Sequence, residues 1–203
     1  TSFTEAMIAT FSAVLASPEF LFQCSQPGKL DDFALAERLS FFLGESMPDE
    51  TLSKLARTGK LRDAGNLKKQ VDRLIDKPEF NRFVREFLNS WLKLDEINDT
   101  DPDRELYPEY AGDWWLVSSM VKESQLFFAD LIVNNRPASG LIDSDYTFLD
   151  ERLARHYGVD GLQGPVFKRT KLPPQSPYGG ILTQASVLKV TANGTVTSPV
   201  LRG

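Results

Sequence analysis

Between Pro78 and Leu92, apolar side chains recur at Phe80, Phe83, Val84, Phe87, Leu88 and Trp91. Steps of three and four place all six on one face of a helix and match no strand. A face this apolar must be covered, so the chain needs further helices or a sheet against it. The preceding residues supply the same signals. Ser2-Phe3-Thr4-Glu5 is a capping box, in which hydroxyl and carboxylate satisfy each other's backbone N–H groups. Behind it Met7, Ile8, Phe11, Val14 and Leu15 keep helical spacing until Ser17-Pro18 stops the run. Residues 20–23, FLFQ, read as an extended piece. Asp32 is expected to open a helix with Leu35, Ala36, Leu39, Phe42 and Leu43 inward and Gly44 at its close. Pro48-Asp49-Glu50 starts a short helix that Gly59 ends, and Asp63 caps the next, with Leu67, Val71, Leu74 and Ile75 inward.

Residues 95–110, DEINDTDPDRELYPEY, form an acidic connector. A long helix is predicted from Asp113 to Asn134. Trp114, Val117, Val121 and Phe128 lie on one side, and Leu116, Met120, Phe127 and Leu131 widen the apolar arc. A helix covered on both sides is the central helix of a bundle. The last clear helix runs from Thr147 to Tyr157, with Thr147 as cap, Asp150 at the third position and Gly158 in the closing left-handed turn. Residues 159–182 hold four Gly and four Pro and read as loop. ILTQASVLKV fits a short helix or a strand. Asn193-Gly194 between β-branched residues suits a tight hairpin, and Ser198-Pro199 reads as a cap plus the first residue of a new helix. The expected fold is therefore mainly α: a multi-helix bundle over 1–159. A loop-rich extension over 160–203, with a hairpin as one reading of its end, begins a second, truncated domain packed on the first.

Composition narrows the function. A hydrophobic share of 41% and fourteen Phe in 203 residues suit a globular core. The net charge of −5 argues against a general nucleic-acid binder, which needs a basic face to displace counterions. Residues 160–203 carry Lys168, Arg169, Lys171, Lys189 and Arg202 against Asp160 alone, so the acidic balance lies in the first 159 residues. A basic segment lying on an acidic body is the simple reading, and a docking surface for another domain the sharper one. The lone Cys24 excludes an intrachain disulfide. No apolar run approaches the ~20 residues that cross a bilayer. The first residues contain Glu5 and no basic leader, unlike a signal peptide. The chain stops on Arg202-Gly203 inside its last motif, so it is expected to be a piece of a longer protein, and a secreted parent that has lost its leader fits.

Several segments share their order with one family. They are Asp101-Pro102-Asp103, the Glu-x-x-x-Phe-Phe run from Glu123 to Phe128, DYTFLDERLARHYG ending at Gly158, Gly179 to Thr191, and TSPVLRG at the end. With LDDFALAERLSFFLGESMPDETLSKLARTGKL earlier in the chain, they resemble the planctomycete cytochrome-associated domains of unknown function. The resemblance covers nearly the whole chain and is specific in order and length rather than in any one motif. Ala192-Asn193-Gly194 departs from the family's usual Ser-Asn-Pro or Ser-Asn-Gly, which affects only a turn. The resemblance implies a large, exported, periplasmic or extracellular multidomain parent, in which any haem c sits elsewhere. It brings no established catalytic residue.

Each candidate site must supply the ligands its chemistry requires. Covalent haem needs the two thiols and histidine of C-x-x-C-H, and this chain has one Cys and one His far apart, so no cofactor is expected here. A zinc site lacks its three or four N/S ligands. His156 reads first as a helix-end imidazole near free carbonyls, second as an interdomain contact or distal haem ligand, and third as a catalytic group. No G-x-S-x-G elbow supports a Ser–His–Asp arrangement. Asp143-x-Asp145-x-Thr147 begins like a calcium loop but fails at Phe148 and Ala154, so capping by Asp145 or Thr147 explains it better. The connector acids Asp99, Asp101 and Asp103, with Glu105, are weak calcium candidates against an ordinary solvated loop. Glu123 is a carboxylate within an apolar helix, with Arg152 or Arg155 as its expected ion-pair partner. Gly179-Gly180 reads as close loop packing rather than an anion cradle.

These readings favour a non-catalytic structural or interaction module. Its partners would be other domains of the same chain and a polysaccharide or redox protein, with no nucleic acid and no membrane span. The rival is part of an oxidoreductase or polysaccharide-active enzyme, with Glu123, Asp145 and His156 as half of a shared site. A third reading is a carbohydrate surface built from Trp114, Trp115 and Tyr110.

Overall fold

Capping side chains decide where most of the helices begin. The computed structural model describes residues 2–22, 28–110 and 113–202, so Gln23 and Cys24 lie outside the described residues. The chain is mainly α-helical and divides into two compact units, Thr1–Lys77 and Pro78–Gly203.

In the first unit, α1 (Phe3–Leu15) begins with the expected capping box: Ser2 N–H donates to Glu5 Oε2 at 2.8 Å and Glu5 N–H to Ser2 Oγ at 3.2 Å. None of its residues is buried, and Phe3, Ile8 and Phe11 stay exposed. Periodicity located that helix but not a cover for it. Phe20 and Leu21 belong to α2 (Pro18–Leu21) rather than to an extended piece, because Pro18 fits the first helical position and Ser17 Oγ accepts the Phe20 N–H.

Next come α3 (Asp32–Gly44), α4 (Glu50–Arg57) and α5 (Ala64–Ile75). Asp31, not Asp32, caps α3 through the Ala34 N–H at 2.8 Å. Asp32 instead accepts the Leu61 N–H at 2.8 Å and Arg62 Nε at 2.5 Å, tying the start of α3 to the turn after α4. Glu45, not Gly44, takes the left-handed closing position, with φ 50°. Phe42 faces solvent, while Ala36, Leu43, Leu52, Ala56, Leu61 and Leu74 are buried. Asp49 caps α4 at the Leu52 N–H and pairs with Arg73 at 2.7 Å and Lys77 at 2.6 Å, one carboxylate joining α4 to the end of α5. Asp63 precedes α5 but makes no capping bond.

The second unit opens with α6 (Phe80–Leu92), whose stripe divides into two lines. Phe80, Val84 and Leu88 are buried, whereas Phe83, Phe87 and Trp91 flank them around Phe128, with Phe87 stacked on Phe128 at 5.1 Å. Phe87 and Trp91 stay exposed, so the expected buried stripe is covered only along part of its width. The long α7 (Trp114–Val133) is capped by Asp113 and buries Leu116, Met120, Phe127 and Leu131. Trp114 and Trp115 point to solvent, 68% and 72% exposed, which corrects the inward placement of Trp114. A first-turn ring has no preceding turn to lie against and here finds no neighbouring layer.

Residues 146–149 are not the start of a helix. They form β1 (Tyr146–Leu149), antiparallel to β2 (Lys168–Lys171), with Tyr146 opposite Lys171 and Leu149 opposite Lys168. Tyr-Thr-Phe-Leu is a β-prone run. The cap of α8 (Glu151–His156) is Asp150, through the Leu153 N–H at 2.9 Å. ILTQASVLKV becomes a 3-10 turn, Ile181–Thr183, followed by α9 (Ala185–Val190). A hairpin closed by the single bridge Ala192–Thr197 leads into α10 (Pro199–Arg202), with Ser198 Oγ accepting the Leu201 N–H. The core joins Ile97, Leu116, Met120, Leu149, Leu153, Ala154 and Ala185. Among the described residues, no helix is long and apolar enough to cross a membrane.

Candidate functional site: a buried carboxyl beside an aromatic cleft

The buried face of α7 carries three polar residues, Ser119, Glu123 and Ser124, and the elements around it supply partners for each. Glu123 is fully buried. Thr147 of β1 donates its hydroxyl to Oε1 at 2.5 Å, and Tyr157, just past α8, donates to Oε2 at 2.7 Å. The Tyr157 oxygen accepts the Ala185 N–H at 2.7 Å, so one phenol links α7, α8 and the start of α9. Four residues along the helix, Ser119 donates to Asp150 Oδ2 at 2.5 Å. Ser124 donates to Gln184 Oε1 at 2.6 Å and accepts from the Ser186 hydroxyl at 2.6 Å, while Gln184 Nε2 lacks a partner among the described residues.

The expected ion pair for Glu123 does not form. Arg152 reaches Asp113 at 2.8 Å and Arg155 pairs with Glu151 on its own helix. Both arginines leave α8 on its solvent side, while Glu123 lies beneath β1. Burial without a cation pushes the Glu123 carboxyl up to about 8; its two hydroxyl partners pull against this, and nearby Asp150 adds to it. Glu123 is therefore largely a neutral acid at pH 7. Burial, with Glu123 as neighbour, pushes the Tyr157 phenol well above its ordinary range.

An open cleft of about 260 Å³ lies beyond Tyr157, lined by Tyr107, Tyr110, His156, Tyr178, Ala185 and Lys189 among others. His156 is the last residue of α8, as expected. The Tyr110 hydroxyl lies 2.9 Å from its Nε2, and the two rings meet edge to face at 5.2 Å. Tyr157 stands between the two features, 5.5 Å from the His156 ring and stacked on Tyr178 at 4.3 Å. Glu123 and His156 are thus both neighbours of one tyrosine. Asp145 is elsewhere: it is exposed, 3.9 Å from Lys171, in a separate hollow with Asp143 and Pro173.

The acidic connector packs against the hairpin. Asp103 N–H donates to the Gly194 carbonyl at 2.8 Å, and Tyr107 donates its hydroxyl to the Thr195 carbonyl at 2.7 Å. Lys189 Nζ donates to the carbonyls of Ile97 and Thr100 at 2.5 and 3.0 Å. Asp99 and Asp101 are exposed, and Asp103 caps the N–H groups of Glu105 and Leu106. Among the described residues, no group of three or more His, Cys, Asp or Glu is placed to hold a metal ion. Asp145 and Thr147 do not cap: Asp145 accepts the Leu172 N–H through its backbone carbonyl, and Thr147 bonds Glu123. Gly180 has φ 95°, and a Cβ there would stand 2.4 Å from the Ile142 carbonyl oxygen, as close loop packing requires.

Sequence reasoning singled out Glu123 and His156 but missed Tyr157 and Tyr178. A signal for the first was present, since Ser119, Glu123 and Ser124 fall on the same arc as Met120 and Phe127 and demand hydroxyl or amide partners. Tyr178 sits in a proline-rich loop whose path no periodicity fixes.

No curated protein and no solved structure gives a significant match. The profile of one family, described as "Protein of unknown function (DUF1592)", matches residues 30–159. With well over half of its length matched, this chain belongs to the DUF1592 family of proteins of unknown function.

Proposed function

We propose that this chain is a non-catalytic structural and interaction module of a larger, exported multidomain protein, of the kind associated with c-type cytochrome domains. Its partners are other domains of that protein and a polysaccharide or redox protein met in the periplasm or outside the cell. One observation carries the reading: the strongly perturbed carboxyl, Glu123, is fully buried, with both oxygens engaged by Thr147 and Tyr157. A group so enclosed holds α7, β1 and α8 together and has no access to a substrate. The module has no c-type haem of its own, since one cysteine cannot make both thioether bonds, and any haem c belongs to neighbouring domains.

The test is turnover by the folded chain. Incubation with polysaccharides, and separately with redox dyes and an electron donor, is expected to release no reducing ends and transfer no electrons. Turnover that E123Q or H156Q abolishes would end the reading. The second reading, a contribution to an enzyme site shared with other domains, is favoured by Tyr157 bridging Glu123 and the cleft that holds His156. It requires that adding the adjoining domains creates an activity sensitive to H156Q.

A further inference from the structure

Two hollows in the second unit share Pro102, Tyr110 and Lys189. The larger is the aromatic cleft of about 260 Å³; the smaller, about 50 Å³, reaches Trp114, Asn98 and Asp101. Their walls thus continue from Tyr178 and His156 through Tyr110 to the exposed indole of Trp114. We propose that the joined hollows bind a neutral oligosaccharide, one sugar ring against Trp114 and a neighbouring ring in the cleft. The proposal rests on reading the chain as an interaction module and names its ligand class.

Three observations select that class. The walls combine flat aromatic faces with hydroxyl tips, and a pyranose has the matching form, a C–H face with a polar edge. The charge is wrong for an anion. Lys189, the cation shared by both hollows, already donates to the carbonyls of Ile97 and Thr100, whereas Asp101 would repel a carboxylate or phosphate. The balance of donors and acceptors decides between a sugar and a proline-rich peptide, the other usual occupant of a tyrosine groove. The Tyr107 hydroxyl already donates to the Thr195 carbonyl, and Asn98 and Asp101 add acceptors to the rim. Sugar hydroxyls donate to acceptors; proline has no N–H to offer.

Cellohexaose, xylohexaose, laminarihexaose and mannohexaose, titrated calorimetrically into the folded chain, test the proposal. At least one is expected to bind, W114A and D101N to weaken it by roughly tenfold or more, and W115A, which lines neither hollow, to leave it unchanged. Trp114 and Asp101 are exposed, so both variants keep the fold, which circular dichroism verifies. Absence of heat with all four sugars, binding indifferent to W114A, or binding only of trigalacturonate or decaproline would overturn the proposal. Release of reducing ends from a bound sugar would instead overturn the non-catalytic reading and leave the binding site standing.

Discussion

Tyr157 donates its phenolic hydrogen to Oε2 of Glu123 at 2.7 Å, and its ring stacks at 4.3 Å on Tyr178, which lines the aromatic cleft. The Glu123 carboxyl is raised to about 8 in the fold, against 4.5 in an unfolded chain. Between these values the unfolded state binds fewer protons than the folded one, so stability falls as pH rises. The contribution is fully present below about pH 4.5 and is lost as pH climbs through 8, a change of about 4–5 kcal/mol at ~1.4 kcal/mol per unit. E123Q, which cannot ionise, should lose this pH dependence, so its stability relative to the natural chain rises by several kcal/mol between about pH 5 and pH 9. Urea unfolding at both pH values measures this, and parallel pH curves would refute it.

Y157F keeps the ring stacked on Tyr178 and removes only the hydroxyl. The Ala185 N–H and Glu123 Oε2 then lose their shared partner inside the core. A destabilisation of about 1–3 kcal/mol is expected. Amide exchange at Ala185 should quicken more than the global change explains, and unchanged exchange there would remove Tyr157 from its linking role.

The helices were legible because their signals are local. The stripe from Phe80 to Trp91 and the capping box at Ser2 act within one or two turns, and both appear where spacing put them. What failed was non-local. Thr147 carries a good cap side chain, but pairing of Tyr146–Leu149 with Lys168–Lys171 outweighs it, and that partner strand lies beyond a glycine-rich loop. Arg152 and Arg155 looked like partners for Glu123 because charge suggests a salt bridge. Sequence does not reveal that α8 turns both outward or that a neutral acid needs only hydroxyls. The cleft was least legible. Tyr107, Tyr110, His156 and Tyr178 come from three separate segments, joined by the contact of Tyr110 with His156 and the stacking of Tyr178 on Tyr157.

In the first unit, Asp49 both caps α4 and pairs with Arg73 and Lys77. Its hydrogen bond from Arg73, with Lys77 and the Leu52 N–H adding, holds its carboxyl well below the ordinary range despite partial burial. Stability from this group is present above about pH 4 and is lost as pH falls toward the depressed value. D49A should therefore cost about 1–3 kcal/mol at pH 7 through the cap and the paired cations, and much less at pH 2. Chemical denaturation of both proteins at the two pH values decides it; an equal loss at both would mean the carboxylate charge is irrelevant.

Gly180 meets two constraints that no other residue type satisfies together. Its φ of 95° lies in a region costly to side-chain-bearing residues, and an added Cβ would stand 2.4 Å from the Ile142 carbonyl oxygen and 2.6 Å from that of Leu141. Both obstacles are backbone, so they yield only if the turn Ala138–Leu141 or the loop before α9 shifts. G180A is expected to destabilise the second unit by at least about 2 kcal/mol and to disturb Tyr178, two residues upstream. G164A is the control: Gly164 has a comparable φ of 80° but open space around its missing Cβ, so it carries the conformational cost alone. If thermal denaturation shows equal losses for both variants, the clash with Ile142 contributes nothing and backbone conformation accounts for the whole effect.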